Sequence, residues 1–302
     1  MNSLPVLVVG SVAIDDVETP FGKMENSIGG SAIYFSTACS FFTKVRIVGI
    51  AGRDFPKEVI ERLHARGVDT TGLTIEDGDT FRWGGRYHQD MNSRDTLYTK
   101  LGLFEKFNPE LPDEYKNTPL VFLGNIQPSL QLQVMNQMKN YKFVACDTMN
   151  LWIETAKNEL LKLLKKVNMI IINDSELHDL TGEINIIKGL EKVHNMGPEY
   201  VIVKKGENGA YLSHNLELFF TPTYPVKQPI DPTGAGDSFA GGFFGYLSTQ
   251  NTIDFKTLKK AVIYGNVMGS ICVEDFNIQA LLRADKKTIE DRYNSIRNML
   301  KI

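Results

Sequence analysis

Six short, uninterrupted apolar runs recur along the chain, and segments of helical length separate them. They are LPVLVVG (4–10), VRIVGI (45–50), PLVFLGN (119–125), KFVACD (142–147), NMIIIN (168–173) and YVIVKK (200–205). Continuous rather than alternating hydrophobicity marks strands covered on both faces, and strands alternating with helices form a mostly parallel sheet between two helical layers. The intervening segments carry the helical period: Leu160, Leu161, Leu163 and Leu164 in 154–166, and Leu190, Val193 and His194 in 185–195. The expected fold is a three-layer α/β/α sandwich.

Two stretches break the rhythm. Residues 11–28 and about 72–105 are richer in polar and β-prone residues, and TFRWGGRYHQDMNSRDTLYTK (80–100) has the Gly-Gly turn and uneven alternation of exposed strands. They read as a small projecting sheet, a lid inserted into one domain spanning 1–302. With 302 residues, 42% of them hydrophobic, the chain can bury a large core. A net charge of -3 without dense basic runs argues against nucleic-acid or anionic-membrane partners and leaves a small molecule. Cys39, Cys146 and Cys272 are too few and scattered for a disulfide framework, and read as buried thiols in a reducing cytoplasm. The opening MNSLPVLVVGSVAIDD fits a buried strand better than a signal peptide or membrane span.

The most informative stretch is IDPTGAGDSFAGGFFGYL (230–247). Asp231 and Pro232 make a stiff lead-in, then Gly234, Ala235 and Gly236 feed an amphipathic helix whose first turn carries Asp237. Unpaired N–H groups at a helix start, the positive end of its dipole and glycines that allow close approach make an anion site. An acid in a first turn can be a mere dipole partner. Beside such a site it has what phosphoryl transfer from ATP to an alcohol needs: a base for the hydroxyl proton and fixed donors for the phosphate charge. Gly241 and Gly242 extend the helix where a backbone must pack closely.

This string resembles the second signature of the ribokinase-like (PfkB) carbohydrate and nucleoside kinases, and the likeness covers nearly the whole chain. SIGGSAIYFSTACSFF (27–42) resembles the first signature, a Gly-Gly pair opening a helix that faces the substrate, which implies that Gly29, Gly30 and Tyr34 bind substrate. VVGSVAIDD (8–16) resembles the first strand, which implies that Asp15 binds substrate. IINDSE (171–176) resembles the N-x-x-E element, so that Asn173 and Glu176 would organise Mg²⁺ and phosphate through water; taken alone it reads as a helix cap. VIVKKGENGAYL (201–212) resembles the strand and turn under the nucleotide, implying roles for Gly206, Gly209 and Lys204, although the family often has Thr or Ser at the lysine's place. A plain hairpin with surface lysines is the bland alternative. Thr233 and Gly265 would sit at the nucleotide, Gly265 leaving room beside the adenine. The implied ligands are ATP and Mg²⁺, with a monovalent cation in part of the family, and some relatives pair their lids in a homodimer.

A sugar is held through its hydroxyls by carboxylates and amides, and loops at strand carboxyl ends hold ligands in open α/β sheets. That adds Asn125, Asp147 and Asn150 to Asp15. Arg86, His88, Asp90, Asn92 and Arg94 in the lid could meet substrate, but exposed strands also carry charges to block edge pairing. Lys-Gly-Ala-Asn commonly follows Gly-Gly in ribose-selective relatives; Ser31-Ala32-Ile33-Tyr34 stands here, which argues against ribokinase itself. The expected activity is an ATP-dependent carbohydrate kinase. A nucleoside acceptor is the alternative, kept open by Phe81, Trp83 and Tyr87, and a silent sugar or nucleotide sensor is disfavoured by the presence of Asp237. Trp152 and four histidines (His64, His178, His194, His214) read as structural.

Overall fold

The computed structural model describes residues 3–215 and 217–301. In chain order its strands are β1 Val6–Val9, β2 Ala13–Thr19, β3 Gly22–Gly29, β4 Val45–Gly52, β5 Val68–Glu76, β6 Phe81–Tyr87, β7 Arg94–Lys100, β8 Leu120–Leu123, β9 Phe143–Asp147, β10 Met169–Asn173, β11 Tyr200–Lys204, β12 Ala210–His214 and β13 Glu217–Thr221. Nine form the main sheet, in the order β13-β12-β11-β10-β9-β8-β1-β4-β5. The seven from β11 to β5 are parallel, and β12 and β13 close one edge as an antiparallel hairpin. All six continuous apolar runs become parallel strands.

Burial on both faces explains their composition. Along β1, Val6 and Val8 pack into one core cluster and Leu7 and Val9 into the other. The first core lies under the helices Ser31–Cys39, Ala235–Ser248 and Phe255–Cys272, where the Phe35 and Phe122 rings stack at 4.7 Å. The second holds Leu160, Leu163, Leu164, Leu177 and Leu190 from the opposite helical layer. The expected helix at 154–166 is two, Asn150–Thr155 and Lys157–Leu164, because Ala156 leaves helical geometry at φ -133°. Gly241 and Gly242 do pack closely: a Cβ on the first would lie 2.5 Å from the Phe35 carbonyl oxygen, and one on the second 2.5 Å from that of Tyr264. No helix among the described residues is long and apolar enough to cross a membrane.

The remaining strands form a separate sheet in the order β3-β2-β6-β7. Its first part, from Ala13 to Gly29, follows the expected stretch closely, but its second begins at Phe81 and not at residue 72. Residues 68–76 belong to the main sheet as its edge strand β5. An edge strand is half solvated, and Asp69, Thr70, Thr71, Thr74 and Glu76 give it the polar look of a projecting insertion.

Candidate active site

Parallel strands send their carboxyl ends to one rim, and the chemically interesting residues gather there. Asp147 ends β9, Asn173 ends β10 and Lys204 ends β11, with Asn173 and Lys204 directly paired in register. Against this rim stands the start of the helix Ala235–Ser248. Its preceding Gly234 sits at φ 74°, and the ring of Tyr34 fills the space a side chain there would need. The loop is pinned by buried Asp231, whose carboxylate accepts from the Thr233 N–H at 2.8 Å and the Asn277 N–H at 3.2 Å. Sequence reasoning treated Asp231 only as a stiff lead-in. An Asp two residues before the N–H it captures is the signal for such a turn.

Lys204 closes the anion turn from the sheet side, its Nζ lying 2.8 Å from where a Gly236 Cβ would be. It is the cation among three carboxyls. Burial drives Asp237 up to about 7, the Asp147 and Glu176 charges adding to the rise and Lys204 opposing it. Glu176 also reaches about 7, raised by burial and then by Asp147, while Lys204, the Asn173 N–H and Arg94 pull the other way. Burial likewise raises Asp147 against the pull of Lys204. For Lys204, burial disfavours the charge, but the three carboxyls outweigh it and hold the ammonium above its ordinary range. A carboxyl that titrates near neutrality beside a set of anion donors is suited to taking a proton.

Asn173 and Glu176 form a reciprocal cap on the helix Asp174–Thr181: Asn173 Oδ1 accepts from the Glu176 N–H, and Glu176 Oε2 from the Asn173 N–H, both at 2.8 Å. The helix-cap reading therefore holds, and it leaves Glu176 Oε1 without a hydrogen bond among the described residues. No cluster of three or more His, Cys, Asp or Glu side chains able to hold a metal occurs among the described residues. A carboxylate oxygen with no bond to a described residue suits a hydrated Mg²⁺, which takes few protein ligands.

The other wall of the site comes from the small sheet. Asp15 on β2 is 5% exposed, its Oδ1 has no hydrogen-bond partner, and its carboxyl packs against the backbone of Gly29. Burial, then the charges of Asp231, Asp237 and Asp16, push it up to about 8. Gly30, at φ 96°, starts the helix Ser31–Cys39, and Ser11 and Ser31 cap one another there, each hydroxyl accepting from the other's N–H at 3.0 Å. Asp15 pairs in register with Trp83, so both side chains share the face on which Tyr87 also lies. The Tyr87 hydroxyl meets Thr233 Oγ1 at 3.3 Å, tying the small sheet to the anion loop.

Several expected residues sit elsewhere. Gly265 packs closely on Phe239: a Cβ there would meet its ring at 2.9 Å. Tyr34, 2% exposed, supports Gly234 rather than presenting a face to substrate. Asn125 accepts from Trp152 Nε1 at 3.1 Å. Arg86 pairs with Glu18 on the opposite face of the small sheet, His88 with Asp95, and Asp90 ties its own turn. Asn150 is exposed at a helix start. Gly206 and Gly209, at φ 52° and 90°, make the expected turn after β11. His194 is structural, bridging the Pro198 carbonyl and Ser213 Oγ.

The sequence pattern of the pfkB family carbohydrate kinases matches residues 6–285. The chain belongs to that family. It is an ATP-dependent kinase. A cytidine kinase of Thermococcus kodakarensis is 31% identical over 262 residues, covering 83% of this chain and 91% of the relative. Among solved structures, the Burkholderia thailandensis nucleoside kinase in complex with inosine superposes with a TM-score of 0.80 at 19% identity, covering 97% of this chain and 99% of that one. The Vibrio cholerae fructokinase bound to fructose, ADP and calcium ion gives 0.74 at 20% identity, over 96% and 99%. These structural likenesses establish the ribokinase-like fold of the pfkB kinase.

Proposed function

We propose that this kinase moves the γ-phosphoryl group of Mg·ATP to a hydroxyl on the sugar of a nucleoside. The observation that carries the reading is Asp237, a carboxyl held near neutrality at the mouth of an anion turn that Lys204 flanks. Asp237 takes the acceptor's hydroxyl proton as the new O–P bond forms. The N–H groups of Gly234 to Gly236 hold the charge on the phosphoryl oxygens, and Lys204 adds a point charge at the same place. Bound Mg²⁺ supplies further neutralisation of the phosphates, with Glu176 Oε1 and Asn173 as the groups that fit it through water. Asp15, with its unpartnered Oδ1 in a buried cradle, accepts a hydrogen bond from another sugar hydroxyl and so fixes which hydroxyl faces Asp237.

The nucleoside is favoured over a free sugar by the aromatic face beside Asp15. Trp83 lies in register with it and, with Tyr87 on the same face, offers an aromatic surface wide enough to stack on a base. The cytidine kinase likeness points the same way. Coupled ADP-release assays against nucleosides, free sugars and sugar acids test the reading. The expected result is strongest turnover on a nucleoside, and a loss of roughly 10²-fold to 10⁴-fold in Asp237→Asn with nucleotide binding retained. Turnover confined to free sugars or sugar acids would replace the acceptor; a fully active Asp237→Asn would remove the base.

A further inference from the structure

Three arginines lie on the small sheet. Arg82 pairs with Asp54 at 3.3 Å and Arg86 with Glu18 at 3.0 Å. Arg94 has no carboxylate at ion-pair distance among the described residues, and its register explains what it faces instead. It sits opposite Tyr87 across β6 and β7, so the two side chains leave the sheet on the same side, the side that carries Asp15 and Trp83. The guanidinium lies 5.9 Å from the centre of the Trp83 ring, and Trp83 in turn donates to Thr96 Oγ1 at 3.3 Å. Arg94 is thus the cation that the small sheet turns toward the site, while the other two are spent on its outer side.

Which half of the site it serves follows from its neighbours. Just before Arg94, Asn92 brings its Oδ1 to 2.9 Å from the position a Gly206 Cβ would take, so the tip of the β6–β7 hairpin lies over the turn assigned to the nucleotide. Tyr87, across the ladder, touches Thr233 of the anion loop. Burial lifts Tyr87 to about 12 with the Arg94 charge opposing the rise, and that charge also reaches Glu176.

We propose that Arg94 is a phosphate-binding residue carried by the small sheet, its guanidinium contacting the terminal phosphate of ATP in the working complex. A planar fork of N–H donors matches phosphate oxygens better than an ammonium does, and it brings the charge from the wall opposite Lys204. The transferring group is then held between a cation of the main sheet and one of the small sheet. Hairpin closure is thereby coupled to the presence of the γ-phosphate and not merely to the acceptor. The inference rests on the ATP-kinase assignment and deepens it.

The test compares wild type, Arg94→Ala and Arg94→Lys in calorimetric binding of Mg·ADP and of a non-hydrolysable Mg·ATP analogue, and in steady-state turnover. Arg94 is exposed and outside the cores, and unchanged melting temperatures check that the variants fold. The expected result is a loss of roughly tenfold to a hundredfold in analogue affinity and in kcat/KM for ATP in Arg94→Ala, the worth of hydrogen bonds to a charged group. ADP affinity stays within about twofold, and Arg94→Lys recovers part of the loss. A fall in kcat with unchanged analogue binding would place the contact in the transition state and also support it. Equal losses for ADP and analogue, no loss in any parameter, or an effect limited to the acceptor KM would each overturn it. Wild-type protein that binds neither nucleotide would instead overturn the ATP-kinase assignment, a result separable from these because it appears before any substitution.

Discussion

The two perturbed acids at either end of the site have opposite requirements. In the proposed mechanism Asp237 must lose its proton to act as base, so with a carboxyl near 7 turnover is expected to rise with pH through neutrality, and that limb to disappear in the residual activity of Asp237→Asn. Asp15 makes a statement about stability. Its folded carboxyl titrates at about 8 against the ordinary 3.8, so between those values the native protein holds a proton that the unfolded chain has released. Stability therefore falls as pH rises across that window. Asp15→Asn, which has no proton to lose, is expected to raise the melting temperature by several degrees at about pH 8 and hardly at all at about pH 4, as calorimetry across pH would show. A gain of equal size at both ends of the window would mean that the benefit comes from packing. The proposed roles of Asp237 and Asp15 can be read from the sequence because each belongs to a contiguous string. The electrostatic companionship of Asp147, Glu176 and Lys204 was legible only as three strand ends, since nothing local records that neighbouring strands deliver them to one point.

The helix Ala235–Ser248 shows how an element can violate propensity for the sake of position. Glycine in a helix interior is ordinarily worse than alanine by up to about 1 kcal/mol. At Gly242 a methyl would stand 2.5 Å from the Tyr264 carbonyl oxygen, a backbone atom that cannot swing aside. Gly242→Ala is therefore expected to destabilise the protein by about 1–3 kcal/mol, overpacking outweighing propensity, measured by denaturant unfolding. A neutral or stabilised variant would show that the two helices can part without loss. The need for close packing at 241–242 was readable, but its partner was not. The same blindness produced the displaced start of the second insertion, where the half-solvated edge strand β5 imitates a projecting one. Composition reports how wet a strand is and not which sheet it joins.

For the whole molecule, the two sheets face each other across the chemistry, joined by the Tyr87–Thr233 contact and the approach of Asn92 to Gly206. Closure of such a wall keeps water from an activated phosphate. Amide exchange in 81–100 is expected to slow when acceptor and a non-hydrolysable ATP analogue are both bound, by more than with either alone; exchange indifferent to ligands would make the small sheet a fixed wall. The connectivity of that sheet carries a consequence for the order of assembly. Its central pairing, β2 with β6, is parallel and joins Asp15 to Trp83 across a stretch of chain that includes β4 and β5 of the main sheet. Closing so large a loop is slow and comes with no local reward until the intervening strands have found their places. The wall that carries Asp15 and Trp83 is therefore drawn together from two separated stretches of chain, and its presence depends on long-range pairing rather than on anything local to either residue.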